Sequence, residues 1–140
     1  MKIAIVNGPN LNLLGKREPH KYGSTSMTEI LDNLRAAFPH VELTYYQSNH
    51  EGDLIDCLHR LGYQTPVDGI ILNAGAYTHT SLALADAIAA IPVPVVEVHL
   101  TNIFSREPIR HTSLIAPVCR GSISGFGAKV YQLALSSFMS

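Results

Sequence analysis

The fold is decided by one stretch, Asp68-Gly-Ile-Ile-Leu-Asn-Ala-Gly-Ala-Tyr-Thr-His-Thr-Ser-Leu-Ala-Leu-Ala-Asp-Ala-Ile-Ala-Ala-Ile91. Its first part, Asp68–Asn73, is a short apolar run that is typical of a buried strand. Its last part, Thr80–Ile91, is apolar nearly all round and predicts a helix. A strand that passes through a polar turn into a helix is the repeating unit of a parallel α/β sheet.

The same alternation extends in both directions from this stretch. The other strand-like runs are Lys2–Val6, Val41–Tyr46, Val95–Leu100 and a weaker one at Gly121–Ser124. Helical patterns lie between and after them, at 27–38, 51–62 and Ala128–Phe138. Because right-handed crossovers cover both faces of a parallel sheet, we predict a single α/β domain over residues 1–140, with a doubly wound, flavodoxin-like, five-stranded sheet.

Two of the predicted helices are preceded by a sequence of the capping-box form. These are Ser26-Met-Thr-Glu29 and Ser48-Asn-His-Glu51. In a capping box, the serine and glutamate side chains bind backbone N–H groups that have no partner in the first helical turn. Both serines are therefore predicted to cap the helix that follows.

The amino-acid composition indicates which kinds of partner and which location to expect. The 10 lysines and arginines against 11 aspartates and glutamates give a net charge of -1, which predicts no nucleic-acid or membrane partner. No signal peptide and no membrane span is recognised, so a cytoplasmic location is expected. Cys57 and Cys119 have neither metal-site spacing nor a secretory context, and they are interpreted as free thiols.

The low charge also bears on assembly. Charged residues make up 15% of the chain, below the roughly 25% that is usual for a globular domain. The helix at Thr80–Ile91 has more apolar surface than one face of a sheet can cover. Both observations predict a homo-oligomer in which this helix contacts another subunit.

Polar residues gather directly after the strand-like runs. The segments are Asn7–Asn10 with Leu11–Gly23, Gln47–Glu51, Asn73–Thr80, and His99–Asn102 leading to Ser105–His111. Ligands of such folds bind beyond the carboxyl ends of the strands, so these loops predict one shared site. Each loop alone also has a structural explanation, since Asn73 and Ser48 are suitable helix caps and Arg17 and Arg106 are suitable surface charges.

His99 is the strongest single candidate for chemistry. It ends a buried strand, and Glu97, two residues earlier, points to the same side of that strand. A carboxylate beside an imidazole fixes its tautomer and raises its pKa, which suits a general acid. A satisfied core histidine is the alternative.

Several kinds of chemistry lack support in the sequence. There is no G-x-S-x-G elbow, and a metal site built from His79, His99 and Glu97 has no recognised spacing. Gly121–Gly127 does not match the dinucleotide fingerprint. Lysines occur only at positions 2, 16, 21 and 129, outside the apolar settings that depress the pKa of an imine-forming lysine. We therefore expect no metal and no organic cofactor.

Six collinear motifs carry a resemblance that covers essentially the whole chain. They are Asn7–Pro19, Tyr22-Gly23, Gln47–Gly52, Asn73–Ser81, Glu97–Asn102 and Arg106–His111. Together they resemble the type II dehydroquinase family. The resemblance implies a hydro-lyase that converts 3-dehydroquinate to 3-dehydroshikimate, in the shikimate route to aromatic amino acids or in quinate breakdown. It also implies trimers assembled into a dodecamer.

The resemblance implies a role for each site residue. Tyr22 is the base that removes the proton beside the ketone, Arg17 stabilises the charge of the developing enolate, and His99, oriented by Glu97, protonates the leaving hydroxyl. Asn10 holds a water on the ketone oxygen. The substrate-binding set is Asn73, His79, Leu100, Thr101, Arg106 and Arg110, with Asp86 reaching a neighbouring subunit's site. Residues 15–23 form a mobile lid.

An ionised Tyr22 is costly, because a free tyrosine titrates near pH 10 and a phenolate at neutral pH needs about 4 kcal/mol of preferential stabilisation. Arg17 and Arg106 are suited to supply it. Two positions depart from the family pattern, which more often has serine at Thr101 and phenylalanine at Ile109. Threonine keeps the hydroxyl, so the chemistry is expected to survive with a change in affinity.

Two other functions stay open at the level of residues alone. One is a flavodoxin-like module that binds a flavin or nucleotide without catalysis, and an absorbance spectrum would reveal it. The other is a metal-dependent hydrolase that uses the histidines, and a chelator would inhibit it.

Overall fold

Five parallel strands form the central sheet of the computed structural model. The strands are β1 (Lys2–Asn7), β2 (Glu42–Gln47), β3 (Gly69–Asn73), β4 (Val95–His99) and β5 (Gly121–Ser124). Their order across the sheet is β2-β1-β3-β4-β5, and every neighbouring pair is parallel. This order confirms the predicted flavodoxin-like, doubly wound sheet.

The structure describes residues 1–22 and 24–139, and the side chains of Lys21 and Tyr22 lie outside the described part. The helices are α1 (Pro19–Tyr22), α2 (Met27–Ala37), α3 (Glu51–His59), α4 (Leu82–Ala90) and α5 (Lys129–Ser137). The predicted helix at 51–62 is wrong at its end, because α3 stops at His59 and a wider helical turn, Arg60–Gln64, follows it. The sequence gives no signal for that change.

The side chains of each strand alternate between two cores on opposite faces of the sheet. On β1, Ile3 and Ile5 point into the core that also contains α2 and α5. Ala4 and Val6 point into the other core, with α3 and α4. The chain runs from β1 to β2 on one side of β1 and then crosses to β3 on the other side of β1. The switch point of the topology therefore lies between β1 and β3. A ligand cleft is expected at their carboxyl ends.

The two capping-box sequences behave differently. Ser26 caps α2 as predicted, since the Glu29 N–H donates to its hydroxyl at 3.2 Å. The prediction for Ser48 is wrong, because α3 begins at Glu51 and its N-cap residue is His50. The Ser48 hydroxyl instead accepts from the His50 N–H at 3.0 Å and donates to the Asp53 carboxylate at 2.8 Å. Ser48 therefore folds the turn before the helix.

Helix α4 keeps an apolar exposed side in the described chain. Leu82 is 69% exposed, although Leu84, Ala85 and Ile88 on the same helix are buried. None of the helices in the described part of the chain has the length and hydrophobicity needed to cross a bilayer.

Candidate active site

The loops after β1 and β3 are packed against each other at the switch point. The Gly8 N–H donates to the Asn73 carbonyl at 2.7 Å, and a Cβ at Gly8 would lie only 2.6 Å from the Ala74 carbonyl oxygen. Gly75 adopts a φ of +60°, which other residues rarely adopt. Glycines are thus required here for the two loops to meet.

The loop after β2 supports the same edge of the sheet. The Gln47 amide donates to the Gly8 carbonyl at 3.2 Å and to the Asn49 side chain at 3.1 Å. The Asn49 Oδ1 also accepts from the Asn10 N–H at 3.0 Å. Asn10 itself has a φ of 69°, a left-handed conformation that asparagine tolerates better than most residues. These contacts fix where Asn10 stands.

A cavity opens over these loops, and residues from four segments of the chain line it. They are Pro9, Asn10, Leu11, Arg17, Asn73, Gly75, Ala76, His79, His99, Leu100, Thr101, Ile103, Arg106 and Arg110. Nine of the predicted site residues are among them: Asn10, Arg17, Asn73, His79, His99, Leu100, Thr101, Arg106 and Arg110. Three of the four predicted strand-end loops therefore contribute to this cavity, whereas the described loop Gln47–Glu51 does not line it.

Two of the predicted site residues that the structure describes do not line the cavity. Glu97 lies behind His99 and is fully buried. Asp86 is exposed on α4, away from the cavity lining. The Tyr22 side chain, the predicted base, and Gly23, at the end of the predicted lid, are outside the described residues.

Glu97 and His99 form a buried pair at the end of β4. The His99 Nε2 lies 2.6 Å from the Glu97 Oε2, and the two side chains are 6% and 0% exposed. Since a carboxylate only accepts, Nε2 carries the hydrogen, and Nδ1 is the nitrogen left for a ligand. The predicted proximity of this pair is confirmed.

The electrostatics of Glu97 favour its ionised form. Burial acts to raise the pKa of Glu97, but hydrogen bonds from His99, Ser113 and Ser122 and the charge of His99 outweigh burial and hold that pKa below its usual value. The Ser113 hydroxyl donates to Oε2 at 2.7 Å and accepts from the Ala116 N–H at 3.0 Å. A carboxylate so held stabilises a positive charge on the neighbouring imidazole.

The rings of His79 and His99 lie near each other in the lining of the cavity. Their ring centroids are 6.2 Å apart, with an interplanar angle of 23°. The His79 Nδ1 lies 2.8 Å from the Thr112 carbonyl oxygen, which can only accept. Nδ1 therefore donates, and Nε2 of His79 is the nitrogen available to a ligand in the neutral ring.

Three arginines surround the cavity and make it suitable for an anion. The Arg106 guanidinium contacts the Thr101 hydroxyl at 3.5 Å, and Arg110 donates to the Glu107 carboxylate at 3.2 Å. Glu107 is exposed, and its pKa is lowered by its own backbone N–H first and then by Arg110. Arg17 pairs with Glu18 at 3.7 Å. Guanidinium groups bind carboxylates through paired, geometrically specific hydrogen bonds.

Sequence reasoning missed the polar side chains beneath the cavity, namely Asn7, Ser113 and Tyr131. The Tyr131 hydroxyl donates to Asn7 at 2.8 Å and accepts from the Asn73 amide at 3.2 Å. In the sequence, Asn7 stands out only as part of a loop motif, and Ser113 and Tyr131 lie far along the chain from the groups that they contact. No local spacing connects such residues.

Comparison with known proteins identifies the family. The family model described as "Dehydroquinase class II" matches residues 1–139. The chain belongs to the class II dehydroquinase family. Among curated relatives, a 3-dehydroquinate dehydratase of Bacillus licheniformis is 56% identical over 139 residues, covering 98% of this chain and 94% of the relative. One from an Exiguobacterium species is 54% identical over 140 residues, covering 99% and 94%.

Solved class II dehydroquinase structures share the fold described above. The type II dehydroquinase of Butyrivibrio crossotus superposes with a TM-score of 0.95 at 41% identity, covering 100% of this chain and 98% of that one. The full-length agreement covers all the segments that line the cavity. The cavity-lining segments of this chain therefore all lie within the part that is covered by the superposition.

Proposed function

We propose that this class II dehydroquinase dehydrates 3-dehydroquinate to 3-dehydroshikimate through an enolate intermediate, without a metal or organic cofactor. The observation that carries the proposal is the buried Glu97–His99 pair, which opens into a cavity lined by Arg17, Arg106 and Arg110. An acid held by a carboxylate and surrounded by cations suits the elimination of water from an anionic hydroxy-keto acid. The curated relatives named above carry the name of this activity.

Tyr22 is the base in this proposal. As a phenolate, it removes the proton beside the ketone, and the electron pair moves onto the ketone oxygen to give the enolate. The arginines support this role, because Arg17 and Arg106 both line the cavity and their positive charges favour a phenolate. Asn10, which lines the cavity beside Arg17, is proposed to hold a water against the enolate oxygen.

His99 completes the reaction as the acid. When the enolate collapses, the carbon–oxygen bond to the leaving hydroxyl breaks, and Nδ1 of the protonated His99 gives that oxygen a proton, so that water leaves. Glu97 stabilises the imidazolium before this transfer and orients the ring. The proton taken by Tyr22 must then return to His99 to reset the site.

The remaining lining residues are proposed to bind the substrate. Asn73, His79 and Arg110, with the Leu100–Thr101 backbone and the Thr101 hydroxyl, surround the cavity with donors suited to a carboxylate and ring hydroxyls. Residues 15–23 are proposed to close over the bound substrate as a lid. The lid would exclude water and so strengthen the electrostatic interactions with Tyr22.

The exposed apolar side of α4 supports a proposed homo-oligomer. Leu82 on this helix is largely exposed, and Asp86 lies on the same helix away from the cavity of its own chain. We propose trimers assembled into a dodecamer, in which Asp86 reaches a neighbouring site. Sedimentation of the purified protein should give a mass far above one chain of 15.2 kDa. A fully active monomer would contradict the proposed role of Asp86.

The reaction places the protein in the shikimate pathway or in quinate breakdown, and a cytoplasmic location remains our expectation. The deciding assay follows the ultraviolet absorbance of the conjugated enone formed from 3-dehydroquinate. Turnover should be lost in Tyr22→Phe and kept in Tyr63→Phe, whose exposed hydroxyl donates to the Ala90 carbonyl away from the cavity. Absent turnover in the wild type would reject the activity, and near-normal turnover in Tyr22→Phe would reject only the base.

A further inference from the structure

One phenol group bridges the ends of β1 and β3 beneath the cavity. Tyr131 on α5 is fully buried, and its hydroxyl donates to the Asn7 Oδ1 at 2.8 Å. The same hydroxyl accepts from the Asn73 Nδ2 at 3.2 Å. Asn7 and Asn73 are register neighbours at the last position of their strands. The hydroxyl therefore connects both strand ends at the switch point.

The partners of the Asn73 side chain fix how its amide is turned. Its Oδ1 accepts from the Gly75 N–H at 3.3 Å, and one hydrogen of Nδ2 is given to Tyr131. An amide nitrogen carries two hydrogens, so one N–H remains for another partner. Asn73 lines the cavity, whereas Tyr131 and Asn7 do not. The second N–H of Asn73 is therefore the donor of this network that a ligand in the cavity can bind.

The other end of the network is anchored as well. The Asn7 Nδ2 lies 3.3 Å from the Met27 sulfur and 3.4 Å from the Tyr45 hydroxyl oxygen. These contacts keep the Asn7 Oδ1 facing Tyr131, so the hydroxyl must donate to Asn7 and accept from Asn73. Burial raises the pKa of Tyr131 far above its ordinary value, more than the hydrogen bonds to Asn73 and Asn7 lower it. Only a neutral phenol can donate and accept at once.

We propose that Tyr131 is a positioning residue for Asn73: its hydroxyl holds the amide so that an N–H donor faces the cavity and meets an oxygen of the bound substrate. The inference rests on the proposed function, in which Asn73 binds 3-dehydroquinate. Without the hydroxyl, the amide can turn and present its oxygen, which repels a carboxylate oxygen and cannot donate to the oxygen of a hydroxyl. The network thus selects an oxygen acceptor at this position of the substrate.

Tyr131→Phe removes the hydroxyl and keeps the ring that fills the core. We expect KM for 3-dehydroquinate to rise about tenfold while kcat stays within about twofold, because the lost contact is one that binds substrate and transition state alike. Tyr45→Phe is the matched control, because the Tyr45 hydroxyl contacts Asn7 but not Asn73, and the Met27 sulfur still holds the Asn7 amide when that hydroxyl is removed. The control should lower the thermal midpoint without changing KM.

The double variant with Asn73→Ala tests whether Tyr131 acts through Asn73. In that background, Tyr131→Phe should change KM no further, because the amide that it positions is gone. A purely structural role predicts a lower thermal midpoint in Tyr131→Phe with an unchanged KM. Either that result or a full additional rise of KM in the Asn73→Ala background would overturn the proposal.

Crystal structures separate this inference from the proposed function. In Tyr131→Phe the Asn73 side chain should turn or show two orientations, and an unchanged side chain would overturn the inference even if the wild type had no dehydratase activity. If Tyr131→Phe does not fold, the wild type soaked with 3-dehydroquinate decides. The Asn73 Nδ2 should then contact both the Tyr131 hydroxyl and a substrate oxygen. An Asn73 that leaves Tyr131 when the substrate binds would refute the positioning role.

Discussion

His99 and Arg17 line the same cavity, but the chain holds them in different ways. His99 ends a buried strand, is 6% exposed and lies 2.6 Å from a fully buried carboxylate. Arg17 follows a short turn, is 40% exposed and pairs at 3.7 Å with Glu18, a residue with a φ of 40°. We call the first region the floor (Asn73, Glu97 and His99) and the second the rim (residues 15–18). The side chains of the floor are held by buried contacts without a ligand. An exposed ion pair such as that of Arg17 and Glu18 in the rim is weak and readily exchanged.

Replacing the acid of the floor should have the largest effect. His99→Ala is expected to lower kcat by about 10²–10⁴-fold, the range typical of a lost general acid. The fold should survive, because His99 lies at the end of its strand, beside the cavity. The enone assay measures turnover, and circular dichroism checks the fold. His40→Ala, on the exposed surface, is the control and should behave as the wild type. Comparable turnover in both variants would remove His99 from the mechanism.

Replacing the cation of the rim should have the next largest effect. Arg17→Ala is expected to lower kcat by about 10²-fold, through the loss of one group that stabilises developing charge. Its thermal midpoint should stay close to that of the wild type, since the side chain is outside the core. Arg35→Ala, which removes a contact with the Leu43 carbonyl remote from the cavity, is the matched control. If Arg17→Ala lost thermal stability but kept its turnover, Arg17 would be a structural residue and not a group that stabilises charge in the reaction.

Glu97 and Glu107 can be compared by how their contributions to the free energy of unfolding change with pH. The pKa of Glu97 is held below the value of about 4.3 that an unfolded glutamate has, so its pairing stabilises the folded state above that pH. This contribution is lost as the pH falls through the lowered pKa. Glu97→Gln should therefore cost about 1–3 kcal/mol at pH 7, and the difference from the wild type should shrink below pH 4.

Urea unfolding between pH 7 and pH 3 measures that difference. Glu107→Gln is the exposed counterpart, and its effect at pH 7 should be much smaller, because the Glu107 side chain is exposed to solvent. A difference for Glu97→Gln that is constant with pH would mean that packing, rather than charge, accounts for the loss.

Proteolysis should show the smallest effect, as a change in rate at the rim. Trypsin is expected to cut first after Lys16, Arg17 or Lys21, and a saturating substrate analogue should slow these cuts severalfold by favouring a closed lid. Arg17 is expected to be a poorer site than the lysines, because Glu18 and Pro19 follow it. A timed digest read by mass spectrometry gives the order of cuts. First cuts in other loops, or equal rates with and without the analogue, would argue against a lid.

The sequence predicted the features that depend on neighbours along the chain. Alternating strands and helices led to the correct sheet, and the Ser26 cap lies where its motif indicates. Ser48 has the same motif, but its hydroxyl has a nearer donor in His50 and an acceptor in Asp53, so the motif alone did not determine the cap. Local patterns therefore predict an element better than its first residue.

The parts of the site that join distant segments could not be predicted in this way. Glu97 and His99 are two residues apart on one strand, so strand geometry was enough to pair them. Ser113 reaches Glu97 across 16 residues, and Tyr131 reaches Asn7 across 124. The pattern at Ala128–Phe138 predicted the last helix, but the position of one hydroxyl on it depends on how the whole helix packs on the sheet.

The tight contact at Gly8 has a consequence for redesigning the substrate range. A single added methyl group there would lie 2.6 Å from the Ala74 carbonyl oxygen, which belongs to backbone and cannot rotate away. The loops that follow β1 and β3 are therefore packed too tightly for either to be lengthened or exchanged without the other. A library for new specificity is best confined to Lys16 and Ile109, whose side chains are exposed and which neighbour Arg17 and Arg110 in the chain. Diversity at Gly8 would mostly yield misfolded chains, whereas diversity at the exposed positions is compatible with the fold.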